Sequence, residues 1–133
     1  MTIRHILLVE ENEEFKKLLQ SYLVSAGYRV FAASDEKQVL KYLTSGNKKN
    51  ELDLVICDLN SHPVGNIQTI NFLSAHLPSI SIIALWKSPD FNLMKVLSDL
   101  GVKKFLSLPV DKNLLLKSVE DEINLSSKHA RSA

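Results

Sequence analysis

The sequence predicts a doubly wound α/β fold, in which helices cover both faces of a five-stranded parallel sheet. Short unbroken apolar runs alternate with longer segments whose apolar residues recur at helical spacing. Unbroken runs are typical of parallel strands that are buried on both faces. The length of 133 residues suits one domain with a single core layered around such a sheet.

Five apolar runs are predicted as strands, spanning approximately residues 5–9, 28–33, 53–57, 80–85 and 103–107. A segment of helical periodicity follows each run, and right-handed crossovers of this kind leave consecutive strands parallel. The resulting architecture is flavodoxin-like, with the predicted strand order 2-1-3-4-5.

Two helices are predicted in the first half of the chain. The first ends at Gly27, because glycine is favoured just past a helix C-terminus. Its apolar positions are Phe15, Leu18, Leu19, Tyr22 and Leu23. The second is predicted to open at Ser34, with Asp35 and Glu36 in a first turn where acidic residues favour the helix dipole. Residues 44–50 are polar and contain glycine, so they are predicted to form a surface loop.

Three further helices are predicted in the second half. The third ends before Pro78, and its apolar positions are Ile67, Ile70, Phe72 and Leu73. Ser88 is predicted to be the N-cap of the fourth helix, with Pro89 at its first position and its end near Gly101. Asp111 is predicted to cap the fifth helix, which carries Leu115, Val119 and Ile123. The domain is expected to span residues 1–125, and residues 126–133 to form a polar tail or the start of a linker.

Composition narrows the class of protein. Sixteen basic and fifteen acidic residues give a net charge of +1, which does not favour nucleic-acid binding. The single cysteine, Cys57, lies in an apolar strand, as expected for a protein of the reducing cytosol. The apolar run near the N-terminus is too short for a signal peptide or a membrane span. We therefore expect a cytoplasmic protein without a membrane partner.

Acidic residues follow two of the predicted strands. Glu10 and Glu11 come directly after the first strand, and Asp58 comes directly after the third. In a doubly wound fold the carboxyl ends of the strands share one edge, where ligands bind. Carboxylates gathered there can hold a divalent cation, and one of them can act as a nucleophile toward a phosphoryl group.

Over residues 3 to 125 the sequence resembles the receiver domain of two-component response regulators. Glu10 and Glu11 match the acidic pair of that family, and Asp58 matches its phosphoacceptor aspartate. Leu108-Pro109 falls on the family's Lys-Pro step, and Phe105 on its aromatic switch position.

The resemblance implies phosphoryl transfer to Asp58 from a phosphohistidine on a histidine kinase or phosphotransfer protein. It also implies that Glu10, Glu11, Asp58 and the main-chain carbonyl of Asn60 bind Mg²⁺. Such a domain is not an enzyme beyond slow self-phosphorylation and dephosphorylation. Its expected partners include an output domain or a second copy, bound through the fourth helix, fifth strand and fifth helix.

The sequence departs from the family at the positions that bind phosphoryl oxygens. Trp86 occupies the hydroxyl position and is expected to lie beside the site, Lys87 occupies the small position next to it, and Leu108 replaces the lysine. Leucine offers no cation, and an indole offers no hydroxyl group. An atypical site with weakened Mg²⁺ binding is therefore expected.

Two further departures concern the metal site and its loop. Glu11 replaces the usual aspartate, and in residues 59–65 the proline comes one residue late and the glycine one residue early. We hypothesise that Lys87 supplies the missing cation and pairs with Asp58 or Glu11.

Several functions remain open. Asp58 could be phosphorylated slowly, or the domain could be a pseudo-receiver that acts as an interaction module without phosphorylation. Residues 60–65 also resemble the Asp-x-His-x-x-Gly loop of cobalamin-binding domains, although Asn60 replaces its acidic residue and the chain has only four glycines. A hydrolase is disfavoured because no plausible base or phosphate-binding glycine-rich loop accompanies the acids.

Overall fold

A parallel five-stranded sheet with the order β2-β1-β3-β4-β5 forms the centre of the computed structural model. The structure describes residues 2–46, 48–60 and 63–132. The strands are β1 (His5–Val9), β2 (Arg29–Ala33), β3 (Leu52–Asp58), β4 (Ser81–Trp86) and β5 (Val102–Ser107). The predicted fold class and strand order are confirmed, and each strand lies within one residue of its predicted bounds.

Among the described residues, six helical segments connect and follow the strands. They are α1 (Glu13–Ser25), α2 (Glu36–Leu43), α3 (Lys48–Glu51), α4 (Pro63–His76), α5 (Phe91–Asp99) and α6 (Lys112–Ser132). The one-turn helix α3 corrects the prediction of a surface loop over residues 44–50. Lys48 N–H donates to the carbonyl of Ser45, so a turn already begun in this segment continues into the helix. The helical backbone of α6 continues beyond residue 125, and the division of the chain at that residue stays a prediction.

The helices form two layers, one on each face of the sheet. Buried residues of α1 and α6 pack on one face, against strand residues such as Ile6, Leu8 and Ile56. Buried residues of α2, α4 and α5 pack on the other face, against residues such as Leu7 and Val55. Successive strand residues point to opposite faces, so both layers draw on the same unbroken apolar runs.

Two helix starts lie later than predicted. Asp35, not Ser34, is the N-cap of α2, and its carboxylate accepts from Gln38 N–H. Asp90, not Ser88, is the N-cap of α5, and its side chain accepts from the N–H groups of Asn92 and Leu93. A carboxylate accepts these N–H groups and also interacts favourably with the positive end of the helix dipole. In each case the N-cap is the first acidic residue after the predicted serine.

The remaining predicted ends are confirmed. Gly27 follows the last turn of α1 with a φ of 98°, a conformation that glycine adopts at little cost. Asp111 caps α6 by accepting from Leu114 N–H. No helix in the described part of the chain is long and apolar enough to cross a membrane.

Candidate functional site

A cavity of about 830 Å³ opens at the carboxyl edge of the sheet. It brings together seven of the residues singled out from the sequence: Glu10, Glu11, Asp58, Asn60, Lys87, Leu108 and Pro109. Asn12 and Phe15 also line it, although no sequence pattern predicts a role for them in the site. Ser61 and His62, within the loop that resembles the cobalamin motif, lie outside the described residues.

The strand register places the two central acids side by side. Val9 of β1 pairs with Cys57 of β3, so Glu10 and Asp58 are the next residues on adjacent strands. Glu10 N–H continues the sheet by donating to the carbonyl of Ala33. Both carboxyl groups are withdrawn from solvent, with Glu10 1% and Asp58 9% exposed.

Glu10 carries an unusually basic carboxyl group. Burial is the main cause that raises its pKa to about 8, and the adjacent Asp58 carboxyl raises it further, against the opposing effect of Asn12 N–H. Asn12 N–H donates to Glu10 Oε2, whereas Oε1 has no hydrogen-bond partner within the described residues. Two facing carboxylates repel each other unless a proton or a cation lies between them.

These oxygens have the chemistry of a Mg²⁺ site. Mg²⁺ prefers hard oxygen ligands and retains several of its waters, so one or two carboxylates can hold it. Oε1 of Glu10, which has no partner in the described part of the chain and lies beside Asp58, fits that requirement. No three His, Cys, Asp or Glu side chains in the described part of the chain are grouped closely enough to hold a metal ion together. Main-chain or water oxygens would therefore have to complete the coordination.

The side chain of Asn60 connects two parts of the cavity. Its main-chain N–H and its Nδ2 both donate to Asp58 Oδ1, at 2.8 and 3.0 Å. Its Oδ1 accepts from the main-chain N–H of Lys87 at 3.1 Å. In the receiver-type site the sequence indicates a role only for the carbonyl of Asn60, because these side-chain bonds depend on the approach of β3 and β4 and leave no signal in the local sequence.

Lys87 and Leu108 lie at the cavity with different surroundings. Lys87 is exposed, and among the described residues its ammonium group forms no ion pair with Asp58. Leu108 N–H donates to the carbonyl of Trp86, which ties the end of β5 to the end of β4. The following peptide bond, Leu108–Pro109, is cis.

Trp86 and Phe105 do not line the cavity, although Trp86 directly precedes Lys87, which does. Trp86 is 3% exposed and belongs to the core under α2, α4 and α5. Its ring stacks on Phe105, with the ring centroids 4.7 Å apart and the planes at 29°. Burial of a large indole against another aromatic ring is favourable, so this side chain packs inward.

The fold and the buried acid pair define a class of α/β domain with a carboxylate site at the carboxyl edge of its sheet. The family described as "Response regulator receiver domain" matches residues 6–120. This chain belongs to the response regulator receiver domain family.

Relatives among characterised proteins are larger than this chain. The chain is 29% identical over 123 residues to the transcriptional regulatory protein GlrR of Escherichia coli K12, covering 92% of this chain and 27% of that protein. It is 29% identical over 119 residues to the CAI-1 autoinducer sensor kinase/phosphatase CqsS of Vibrio cholerae, covering 87% and 17%. The chain therefore spans about a quarter or less of these relatives.

Solved structures share the fold. The signal receiver domain of an HD domain-containing protein from Pseudomonas fluorescens Pf-5 has a TM-score of 0.84 at 25% identity, covering 100% of this chain and 96% of that one. A CheY-like receiver domain protein from Methanospirillum hungatei JF-1 also has a TM-score of 0.84, at 16% identity, covering 96% and 98%.

Proposed function

We propose that this receiver domain accepts a phosphoryl group on Asp58 from a phosphohistidine of a histidine kinase or phosphotransfer protein. The observation that carries the proposal is the pairing of Asp58 with Glu10 at the end of adjacent strands, in a cavity open to solvent. An open cavity gives a protein-bound phosphohistidine access to a carboxylate that is otherwise largely buried.

The proposed step is an in-line transfer. An Asp58 carboxylate oxygen forms a bond to phosphorus while the P–N bond of the phosphohistidine breaks. The electron pair of that bond stays on the imidazole nitrogen, which then takes up a proton. Mg²⁺ held by Glu10, Asp58 and the Asn60 carbonyl, with Glu11 at the same cavity acting through a bound water, would supply positive charge to the phosphoryl oxygens. Because the pKa of Glu10 is raised, its carboxyl group has to lose a proton before the carboxylate can bind Mg²⁺.

The transfer is expected to be slow. Leu108 supplies no cation to the cavity, and the Trp86 side chain is buried away from it. Loss of one preorganised donor from a charge-stabilising site typically raises the barrier by about 2.7–4 kcal/mol. Lys87 is exposed and lines the cavity, and its ammonium group could turn inward to replace part of this stabilisation.

A second candidate is a pseudo-receiver that signals through protein contacts alone. The Trp86–Phe105 stack favours it, because a switch aromatic packed against a buried indole has less freedom to change position. The surface formed by α5, β5 and α6 would bind an output domain or a second copy. Phe91 and Val96 of α5 are 83% and 46% exposed and could contribute apolar contacts there.

We further propose that the domain works in the cytoplasm, where its kinase partner and Mg²⁺ are present. Neither nucleic acid nor a membrane is a proposed partner, given the near-neutral charge of the chain. Catalysis would be limited to slow gain and loss of the phosphoryl group on its own Asp58.

The test is phosphorylation by phosphoramidate in the presence of Mg²⁺, followed by intact-mass measurement. One phosphoryl group should be added to the wild-type domain and none to Asp58→Ala. Asp99→Ala removes an exposed carboxylate at the end of α5 and should be modified like the wild type. Phosphorylation of Asp58→Ala would contradict the proposal. A wild type that is not phosphorylated by phosphoramidate and does not bind beryllofluoride would also contradict it and would favour the pseudo-receiver.

A further inference from the structure

The side chain of Asn60 stands between Asp58 and a main-chain donor at the end of β4. Its Nδ2 donates to Asp58 Oδ1 at 3.0 Å, and its Oδ1 accepts from Lys87 N–H at 3.1 Å. The orientation of the amide follows from these partners. The reverse orientation would place an oxygen against a carboxylate and an NH₂ group against an N–H.

A phosphoryl group bonded to Asp58 would need the same donor. Its oxygens carry negative charge and are stabilised by N–H groups aimed at them. The Lys87 N–H lies at the cavity, whereas Leu108 at the same cavity offers no side-chain donor. While Asn60 Oδ1 occupies the Lys87 N–H, that donor cannot bind a phosphoryl oxygen.

We propose that the Asn60 side chain acts as a gate over Asp58. Its Oδ1 occupies the place of a phosphoryl oxygen at the Lys87 N–H, and the side chain has to move away before a tetrahedral anion can bind. The proposal rests on the proposed function of Asp58. Asn60 is in this sense a positioning residue, because it sets the availability of Asp58 and of the Lys87 N–H. The main-chain bond from Asn60 N–H to Asp58 Oδ1, at 2.8 Å, does not involve the side chain and would survive its movement.

Truncation of the gate should make anion binding easier. In Asn60→Ala, beryllofluoride with Mg²⁺ should bind at least about fivefold more tightly than in the wild type. This is the factor given by ~1 kcal/mol for even one of the two side-chain hydrogen bonds that no longer have to be broken. Asn60→Ser, whose side chain is too short to link both partners, should behave in the same way. Asn92→Ala, an exposed amide on α5, should bind as the wild type does.

NMR spectroscopy follows the hydrogen bond between Lys87 N–H and Asn60 Oδ1 directly, separately from the stability of the fold. On addition of beryllofluoride to the wild type, both the Lys87 amide and the Asn60 side-chain amide signals should shift, because Lys87 N–H exchanges Asn60 Oδ1 for the anion. In Asn60→Ala the Lys87 amide should already differ without the anion.

The two proposals can fail separately. If the wild type binds beryllofluoride through Asp58 but Asn60→Ala and Asn60→Ser bind it equally or more weakly, the gate is wrong and the phosphoacceptor proposal stands. If neither the wild type nor the variants bind it in a manner abolished by Asp58→Ala, the phosphoacceptor proposal fails, and the gate fails with it.

Discussion

At the scale of single residues, Glu10 shows how position in the sheet changes the chemistry of a side chain. Its carboxyl is buried next to Asp58, and burial raises the pKa of Glu10 from 4.5 to about 8. The folded protein therefore holds the Glu10 proton more tightly than the unfolded chain does. This contribution to stability is present in full below pH 4.5 and is lost as the pH rises to about 8.

The substitution Glu10→Gln imitates the protonated side chain and should remove this pH dependence. Without divalent cations at pH 9, the variant should be more stable than the wild type by about 1–3 kcal/mol, the cost of a buried polar group without a partner. At pH 5 the difference should be small. Urea unfolding at both pH values in EDTA measures it, with Glu120→Gln on the exposed face of α6 as the control. Parallel pH profiles for Glu10→Gln and the wild type would contradict the assignment.

At the scale of elements, the helix starts depend on which of several polar residues accepts the free N–H groups. Both Ser88 and Asp90 are capping residue types, but the hydrogen bonds at the start of α5 go to Asp90 Oδ1. Asp35 plays the same part at α2, while Ser34 N–H donates to Gln38 Oε1. The sequence locates these helices within one or two residues, and the cap itself is decided by the path of the chain leaving the sheet.

Asp90→Ala should destabilise the domain by about 1 kcal/mol, the usual effect of losing an N-cap side chain. Ser88→Ala should change stability by less than about 0.5 kcal/mol, as exposed substitutions without a specific role usually do. Chemical denaturation of the two variants alongside the wild type checks the ranking. A larger loss of stability in Ser88→Ala than in Asp90→Ala would support Ser88 as the N-cap, as the sequence predicts.

At the scale of the whole molecule, the sheet lies between two layers of helices and contributes residues to both halves of the core. Trp86 illustrates the consequence, since it follows the strand alternation into the layer of α2, α4 and α5. The position at which the resemblance predicts a hydroxyl group is occupied by a side chain that packs in the core. The core beside β4 and β5 is therefore filled by the Trp86–Phe105 stack.

Trp86→Ala should destabilise the domain by about 3–5 kcal/mol, because removal of a buried aromatic side chain leaves a cavity. Phe91→Ala, which truncates an aromatic side chain that is 83% exposed, should change stability by less than about 0.5 kcal/mol. Urea unfolding followed by far-ultraviolet circular dichroism suits both variants, because Trp86 is the only tryptophan in the chain. Similar losses in the two variants would mean that Trp86 is not a core residue.

The sequence by itself determined the strands, the helices longer than α3, the parallel sheet and the edge at which Glu10 and Asp58 meet. These follow from hydrophobic periodicity, from glycine at helix ends and from the rule that parallel strands end at one edge, all of which are local or topological. Only the tertiary structure decided that one oxygen of Glu10 has no hydrogen-bond partner among the described residues, that Asn60 links Asp58 to Lys87, and that Trp86 packs inward. Those outcomes depend on how side chains from different strands and helices meet, and contacts between segments distant in the chain leave no periodic signal in it.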